Sequence, residues 1–394
     1  MSTLKVDAIR HNSATSDAIT TASDGTCTAR ITGMTGGSGL SHRNKFINGA
    51  MTISQRATSF TSTLADDQYI LDRFKHIIRG TNDSHYTQVS DHPDNFTKSM
   101  KVKCNSTYTP SASDNAGFQS MLEGQDLQEL NFGSANANSF TVSFYAKSAS
   151  QNNGHQYTFQ IRSYPSGGAV TRIKNFPFTV TSSWQRFTFT FTGDTGADIK
   201  NDNEVGMALL WNLNAGPDDI TSQYTDWTSL NRFMCVTGQS NFLDNTNNEF
   251  YLTGVQLEVG DTATSFEHRS YGEEISRCER YFQCMKGPSG TTTGDNEALY
   301  GIALAYNNNR TLWSFQFKTE MRTNPTVSMS NISYLQGLGV VGGWNSATSF
   351  VNTNKFSKFG GRVDLNWSGT PYTVGHAVEM RITNDGLLGF NAEL

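Results

Sequence analysis

The sequence predicts an all-β chain: a jelly-roll β-sandwich, followed by a smaller C-terminal β domain and preceded by an extended N-terminal segment. Three observations predict it. Apolar and polar residues alternate along short stretches bounded by turn formers. Gly numbers 35, Phe 25 and Tyr 14, while charged residues are only 16% of the 394. A convincing helical period of apolar residues is found at one place. Alternation with period two marks a strand with one dry and one wet face; Thr, Phe and Tyr suit a pleated surface, and Gly, Asn, Asp and Ser supply turns. A chain this long exceeds one ordinary core, so two or more compact units are expected.

Residues 1–40 hold few large apolar side chains and cannot bury a core alone. Short strand-like pieces, Leu4 to Ile9 and Cys27 to Ile31, lead to a flexible joint at Gly36-Gly37-Ser38-Gly39. Such a segment orders only on a partner or on copies of itself. Residues 41–286 form the expected sandwich. Phe140, Val142 and Phe144 alternate with Thr141, Ser143 and Tyr145; Tyr157, Phe159 and Ile161 repeat the pattern; Phe187, Phe189 and Phe191 alternate with polar neighbours. One dry and one wet face per strand argues for antiparallel strands in two packed sheets, because a parallel sheet covered on both sides shows continuous apolar runs. A closing helix is predicted from Tyr271 to Met285, with Ile275, Cys278 and Phe282 at helical spacing. Cys278 and Cys284 then fall on opposite sides of it. Gly287-Pro288-Ser289-Gly290 reads as a linker, and residues 287–394 as the second β domain: Trp313, Phe315 and Phe317; Val363, Leu365 and Trp367; Val378, Met380 and Ile382. No fixed-period repeat supports a β-helix.

The net charge of −5 and the absence of a Lys/Arg block argue against nucleic-acid binding, and no apolar run is long enough for a signal peptide or a membrane span. The protein is expected to be made and folded in a cytosol. Its five cysteines, Cys27, Cys104, Cys235, Cys278 and Cys284, form no CxxC pair and are expected as free, mostly buried thiols.

Three stretches resemble the carbohydrate-binding-module-like jelly rolls of phage tail fibres and other virion proteins. They are Arg43-Asn44-Lys45-Phe46-Ile47-Asn48-Gly49-Ala50 with Tyr69-Ile70-Leu71-Asp72-Arg73-Phe74, then Trp184-Gln185-Arg186-Phe187, and Phe250 to Gly260. The ending, Pro325-Thr326-Val327 and Gly389 to Leu394, is similar to fibres of phages infecting marine cyanobacteria. The resemblance implies a place on the virion, attachment through the N-terminus to a tail adaptor or nozzle or to capsid proteins, trimeric assembly, and contact with a host-surface glycan or protein. A capsid decoration protein or head fibre, a free glycan-binding module and a polysaccharide depolymerase are the alternatives. It further implies that the structural calcium of related modules is lost, since Ala50 and Thr253-Gly254 stand at its acidic positions, leaving Asn48, Glu258 and Asp261 as oxygen donors. No cofactor and no metal are expected.

Catalytic fingerprints such as GxSxG, HExxH or a P-loop are missing from the sequence, so an enzyme is not expected. Asp83, His85, Asp91, His92 and Asp94 form the densest polar cluster, without metal-ligand spacing; a solvated loop is the expectation. Aromatic residues among amides and glycines are candidates for sugar contact, because C–H faces of sugars stack on aromatic planes while amides bind hydroxyls. These are Trp211, Tyr224 and Trp227, and in the C-terminal domain Trp344 with Asn345, and Trp367 with Asn366 and Tyr372. Core packing is the competing assignment for each, and Trp367 continues the Val363, Leu365 alternation.

Overall fold

The computed structural model describes residues 42–81, 83–165, 171–230, 232–288, 298–339, 343–352 and 355–394. Within the first 41 it describes Val6, Ser23 and three short strands, Ala8–Ile9, Ile19–Thr21 and Cys27–Ala29, paired antiparallel in that order. The rest of the expected strand-like pieces, the Gly36–Gly39 joint and the Cys27 side chain lie outside the described residues.

The sandwich has ten principal strands: β1 (Phe74–Arg79), β2 (Ser84–Val89), β3 (Ser99–Cys104), β4 (Asn115–Glu123), β5 (Phe140–Ser148), β6 (Gln156–Ser163), β7 (Arg172–Thr179), β8 (Gln185–Phe191), β9 (Val205–Ala215) and β10 (Glu249–Val259). One sheet runs β7-β6-β9-β4-β1, the other β8-β5-β10-β3-β2, each with a two-residue edge strand added, and all their pairings are antiparallel. Phe140, Val142, Phe144, Phe159, Ile161, Leu209, Trp211, Phe250 and Leu252 fill the space between them, as the alternation predicts.

The expected wet faces are not wet on the inner strands. In β6 every residue after Gln156 is buried, and in β9 every residue after Val205. Chain folded over each sheet is the cause. Residues 217–230 and 232–240 cover the outer face of β6 and β9, where the Thr158 hydroxyl accepts from Val236 N at 2.9 Å and donates to Gln239 Oε1 at 2.8 Å. Over β5 the Thr141 hydroxyl donates to the Gly260 carbonyl at 2.9 Å. Thr158 and Thr141 thus keep the alternation legible while being buried, because the covering chain satisfies their hydroxyls.

His76 on β1 is buried, its Nδ1 2.9 Å from the Tyr86 hydroxyl, which donates to the Gly117 carbonyl. With that hydroxyl proton used, the imidazole donates. Burial pushes its pKa down to about 4. Above about pH 6.5 the ring is neutral folded or unfolded; below it, the unfolded chain takes a proton that the fold refuses. Stability is expected to fall by about 3 kcal/mol between pH 6.5 and 4 on this account. Urea unfolding of wild type and His76→Gln at both ends of that window checks it: the wild type should lose more.

Helix α1 (Tyr271–Glu279) starts at Ser270, whose hydroxyl accepts from Glu273 N at 3.2 Å. It is shorter than predicted. Residues Phe282–Lys286 leave it as strand β11, paired with β19 (Leu387–Asn391), which also pairs with β14 (Thr326–Met329). Cys284 is therefore on a strand, not across a helix from Cys278, and five residues expected in the first unit belong to a sheet with the last strand. The remaining strands close a barrel: β12 (Ala298–Asn307), β13 (Arg310–Gln316), β15 (Leu335–Gly339), β16 (Gly343–Asn352), β17 (Gly360–Trp367) and β18 (Ala377–Ile382), in the order β13-β12-β18-β15-β16-β17 and back to β13. Closure leaves its main strands without free edges.

Sandwich and barrel meet through charges as well as strands. Arg73 pairs with Glu393, both side chains 2% exposed, and its guanidinium lies 3.4 Å from the Tyr281 ring centroid. Arg56 also reaches Glu393 at 3.3 Å, and Arg322 donates to the carbonyls of Asn203, Ala392 and Glu393. No helix among the described residues is long and apolar enough to cross a membrane.

Candidate functional site

Three of the sequence candidates are core. Trp211 is fully buried, stacked on Phe118 (5.3 Å, 15°) between Phe144 and Phe159. It belongs to β9, whose inward positions are Met207, Leu209, Trp211 and Leu213; the neighbouring Asn212 and Asn214, which suggested a loop, are its outward residues. Trp367 and Tyr372 lie inside the barrel, edge to face at 5.2 Å. The Trp367 indole donates to the Thr311 hydroxyl and Tyr372 to the Gly337 carbonyl. A Cβ on Gly337 would stand 2.5 Å from the Tyr372 oxygen, so this glycine makes room for a buried ring rather than leading to an exposed one.

Tyr224 and Trp227 lie on the covering segment, in residues 217–230. Its base is Asp219, buried and bound by Arg232 and Asn115. Asn175 ties it from beneath, accepting from Tyr224 N at 2.8 Å and donating to the Met234 carbonyl. Trp227 is half-buried; its indole donates to the Thr192 carbonyl at 2.9 Å, its ring meets Phe132 edge to face, and Lys174 Nζ stands 5.6 Å from its centroid. Burial holds the Lys174 pKa below its ordinary value.

Trp344 and Asn345 are half-buried on β16; Trp344 lies on the barrel's outer face, while Asn345, paired with Gly337, points the other way. Arg381 covers the indole, 3.8 Å from its centroid, and is itself held by Gln336 Oε1 at 2.9 and 2.7 Å. Leu338 sits directly across from Trp344, and Asn366 donates to the Ser349 hydroxyl nearby on β17. The face continues over β18 to β12, with a groove of about 500 Å³ lined by Leu299, Ile302, Leu338, His376 and Glu379.

A further aromatic strip, absent from the sequence candidates, crosses the outer face of the second sheet. Register places Lys147, Tyr251 and Lys101 side by side on β5, β10 and β3. Trp184 stands beside Tyr251 at 6.2 Å, its indole donating to Asp91; Lys147 also binds Asp91, at 2.6 Å, with its Nζ 4.8 Å from the Tyr251 centroid. Partial burial pushes the Asp91 carboxyl up, but the hydrogen bonds from Lys147 and Trp184 outweigh it and hold the pKa low. A flat ring beside fixed charges is the equipment a sugar requires. Alternation marks Lys147 and Tyr251 as outward, but only register joins them.

The polar cluster divides. Asp83, 3.7 Å from His85, receives Asn105 and Ser106 at one end of β2, while Asp91 serves Lys147 beyond the other. The expected oxygen donors are also dispersed: Asn48 is spent on Ile53 and the Asp72 carbonyl, Glu258 on Gln256 and Thr264, and Asp261 is exposed. Among the described residues no three His, Cys, Asp or Glu side chains gather as a metal ion requires.

No protein-family model and no curated protein sequence matches the chain. Its structural neighbours are a phage tailspike domain and carbohydrate-binding modules. The enzymatically active domain of bacteriophage CBA120 tailspike protein 4 is 14% identical, with TM-score 0.30 over 55% of this chain and 21% of that one, so this chain spans about a fifth of it. The family 11 module of the Clostridium thermocellum cellulase Lic26A-Cel5E is 14% identical, with TM-score 0.28 over 52% of this chain and 95% of the module. The xylan-binding CBM22-1 domain of Paenibacillus barcinonensis Xyn10C is 12% identical, with TM-score 0.27 over 52% and 94%.

Proposed function

We propose that this chain is a structural, non-enzymatic protein of a bacteriophage particle, a tail fibre or similar appendage. Its N-terminal segment docks to the virion, it assembles as a homotrimer, and its C-terminal barrel meets a glycan or protein of the host surface. One observation carries the reading: sandwich and barrel are coupled by the β11-β19-β14 sheet and by buried ions, so a surface on the barrel is held at a set distance from the rest of the chain. Free hinges are the default between domains, and a coupling this dry is what a load-transmitting appendage needs. Three buried carboxylates agree with it. Glu123 is bound by Arg280, Asp364 by Arg310 and Arg362, and Asp194 by Arg172, each neutralised in place rather than poised in a cleft for proton transfer.

Pre-incubating host cells with the purified chain is expected to block adsorption of the phage, and gold-labelled chain on imaged particles distinguishes a tail fibre from a head fibre or capsid decoration. Trp344→Ala removes the half-buried indole that Arg381 covers at the barrel surface. It is expected to weaken cell binding about tenfold, the scale of one aromatic hot spot, with the melting temperature nearly unchanged. Normal cell binding by this variant would move the contact elsewhere, and release of reducing ends from host polysaccharide would make the chain a depolymerase.

A further inference from the structure

We infer that the exposed apolar band on the barrel is an interface between copies of this chain. Strand β12 is built inside out. Its small residues Ala303 and Ala305 face the barrel core, filled by Trp313 and Trp367, while Ile302, Leu304 and Tyr306 face outward at 66, 49 and 57% exposure. Leu299 (56%) and Leu338 (38%) extend the band. Cross-strand register sets Ile302 beside Glu379 and Leu304 beside Ala377, so the face is continuous over β12 and β18. A solvent-facing strand ordinarily carries charged or polar residues at these positions.

Area and charge both point to a second copy. The outward side chains present roughly 500 Å² of apolar surface, near the upper end for a patch on a monomer. It is also about the apolar share of one partner's side in a standard homo-oligomer contact of about 800 Å² per partner. The groove within the band carries Glu379 and His376, and among the described residues neither side chain has a hydrogen bond or ion pair within the chain. Around a three-fold axis each copy's band meets both neighbours, so that Glu379 of one copy meets His376 of the next. The interface deepens the homotrimer part of the proposed function and rests on it, while virion location and cell binding are tested separately by the particle images and the adsorption block.

Light scattering on the full-length chain at micromolar concentration and neutral pH tests it. The wild type is expected at a multiple of the chain mass. Ile302→Glu with Leu338→Glu should raise the dissociation constant about a hundredfold and yield the single-chain mass with an unchanged circular dichroism spectrum, because two carboxylates would be buried unpaired. Phe359→Glu, at an exposed ring in the turn before β17 and outside the band, should keep the multimer. Glu379→Arg should weaken association, and adding His376→Glu should restore it. A monomeric wild type, an unchanged mass in the double variant, or equal loss in Phe359→Glu would each overturn the proposal. So would a monomeric wild type whose band binds host cells, since the face would then belong to a foreign partner.

Discussion

Arg73→Leu is expected to destabilise the chain by about 3–5 kcal/mol, because it leaves Glu393 buried with only Arg56 in reach and empties the space over Tyr281. Arg73 already holds a left-handed backbone (φ 70°) with a Cβ of its own, and Leu branches only at Cγ, so the loss would come from the stranded charge rather than the backbone. Glu393→Leu should cost a similar amount from the other side. The double variant should recover much of it, since replacing both members of a buried pair removes the stranded charge. Urea unfolding followed by tryptophan fluorescence gives the three values. Additive losses would mean that the two groups act independently and that the junction is held by its strands alone.

Trp211→Ala is expected to cost about 3–5 kcal/mol, the range for emptying a large aromatic site in a packed core. The surrounding rings, Phe74, Phe118, Phe144 and Phe159, approach Trp211 from both sheets and cannot close the space without shifting two strands each. Trp211→Phe should lose less. A fall in melting temperature for the alanine variant with no loss of cell binding after refolding would confirm the core assignment. A stable variant that no longer bound cells would return Trp211 to the list of contact residues.

Much of the fold was legible because period-two patterning is local. Phe140, Val142 and Phe144 announce an inward face whatever lies opposite. Long-range partners are not announced. Phe282 continues a helical spacing from Ile275 and Cys278, yet residues 282–286 form a strand because β19, about a hundred residues later, offers it a ladder. Tyr372 sits beside Ser, Gly, Thr and Pro, the neighbours of an exposed turn, and is buried because Gly337 on another strand leaves it a space. In β12 the alternation is plain in Ile302, Ala303, Leu304 and Ala305, but which set faces inward depends on the bulk already supplied by Trp313 and Trp367. The sugar-type strip at Trp184 is missed for the same reason: its members lie on different strands, and only pairing assembles them.

Strand β19 is central to the junction sheet, and in sequence it follows every other described strand. During synthesis β11 and β14 are complete well before β19 exists, and Arg73 waits for Glu393 across 320 residues. Loop closure over that span is entropically slow, and until then the sandwich must hold its own core with the Arg73 guanidinium bound to the Met121 carbonyl but lacking its carboxylate. Coupling between the two bodies therefore follows synthesis of the sandwich, and a chain interrupted before β19 would leave a folded sandwich and an open junction strand, the kind of exposed edge that captures other chains.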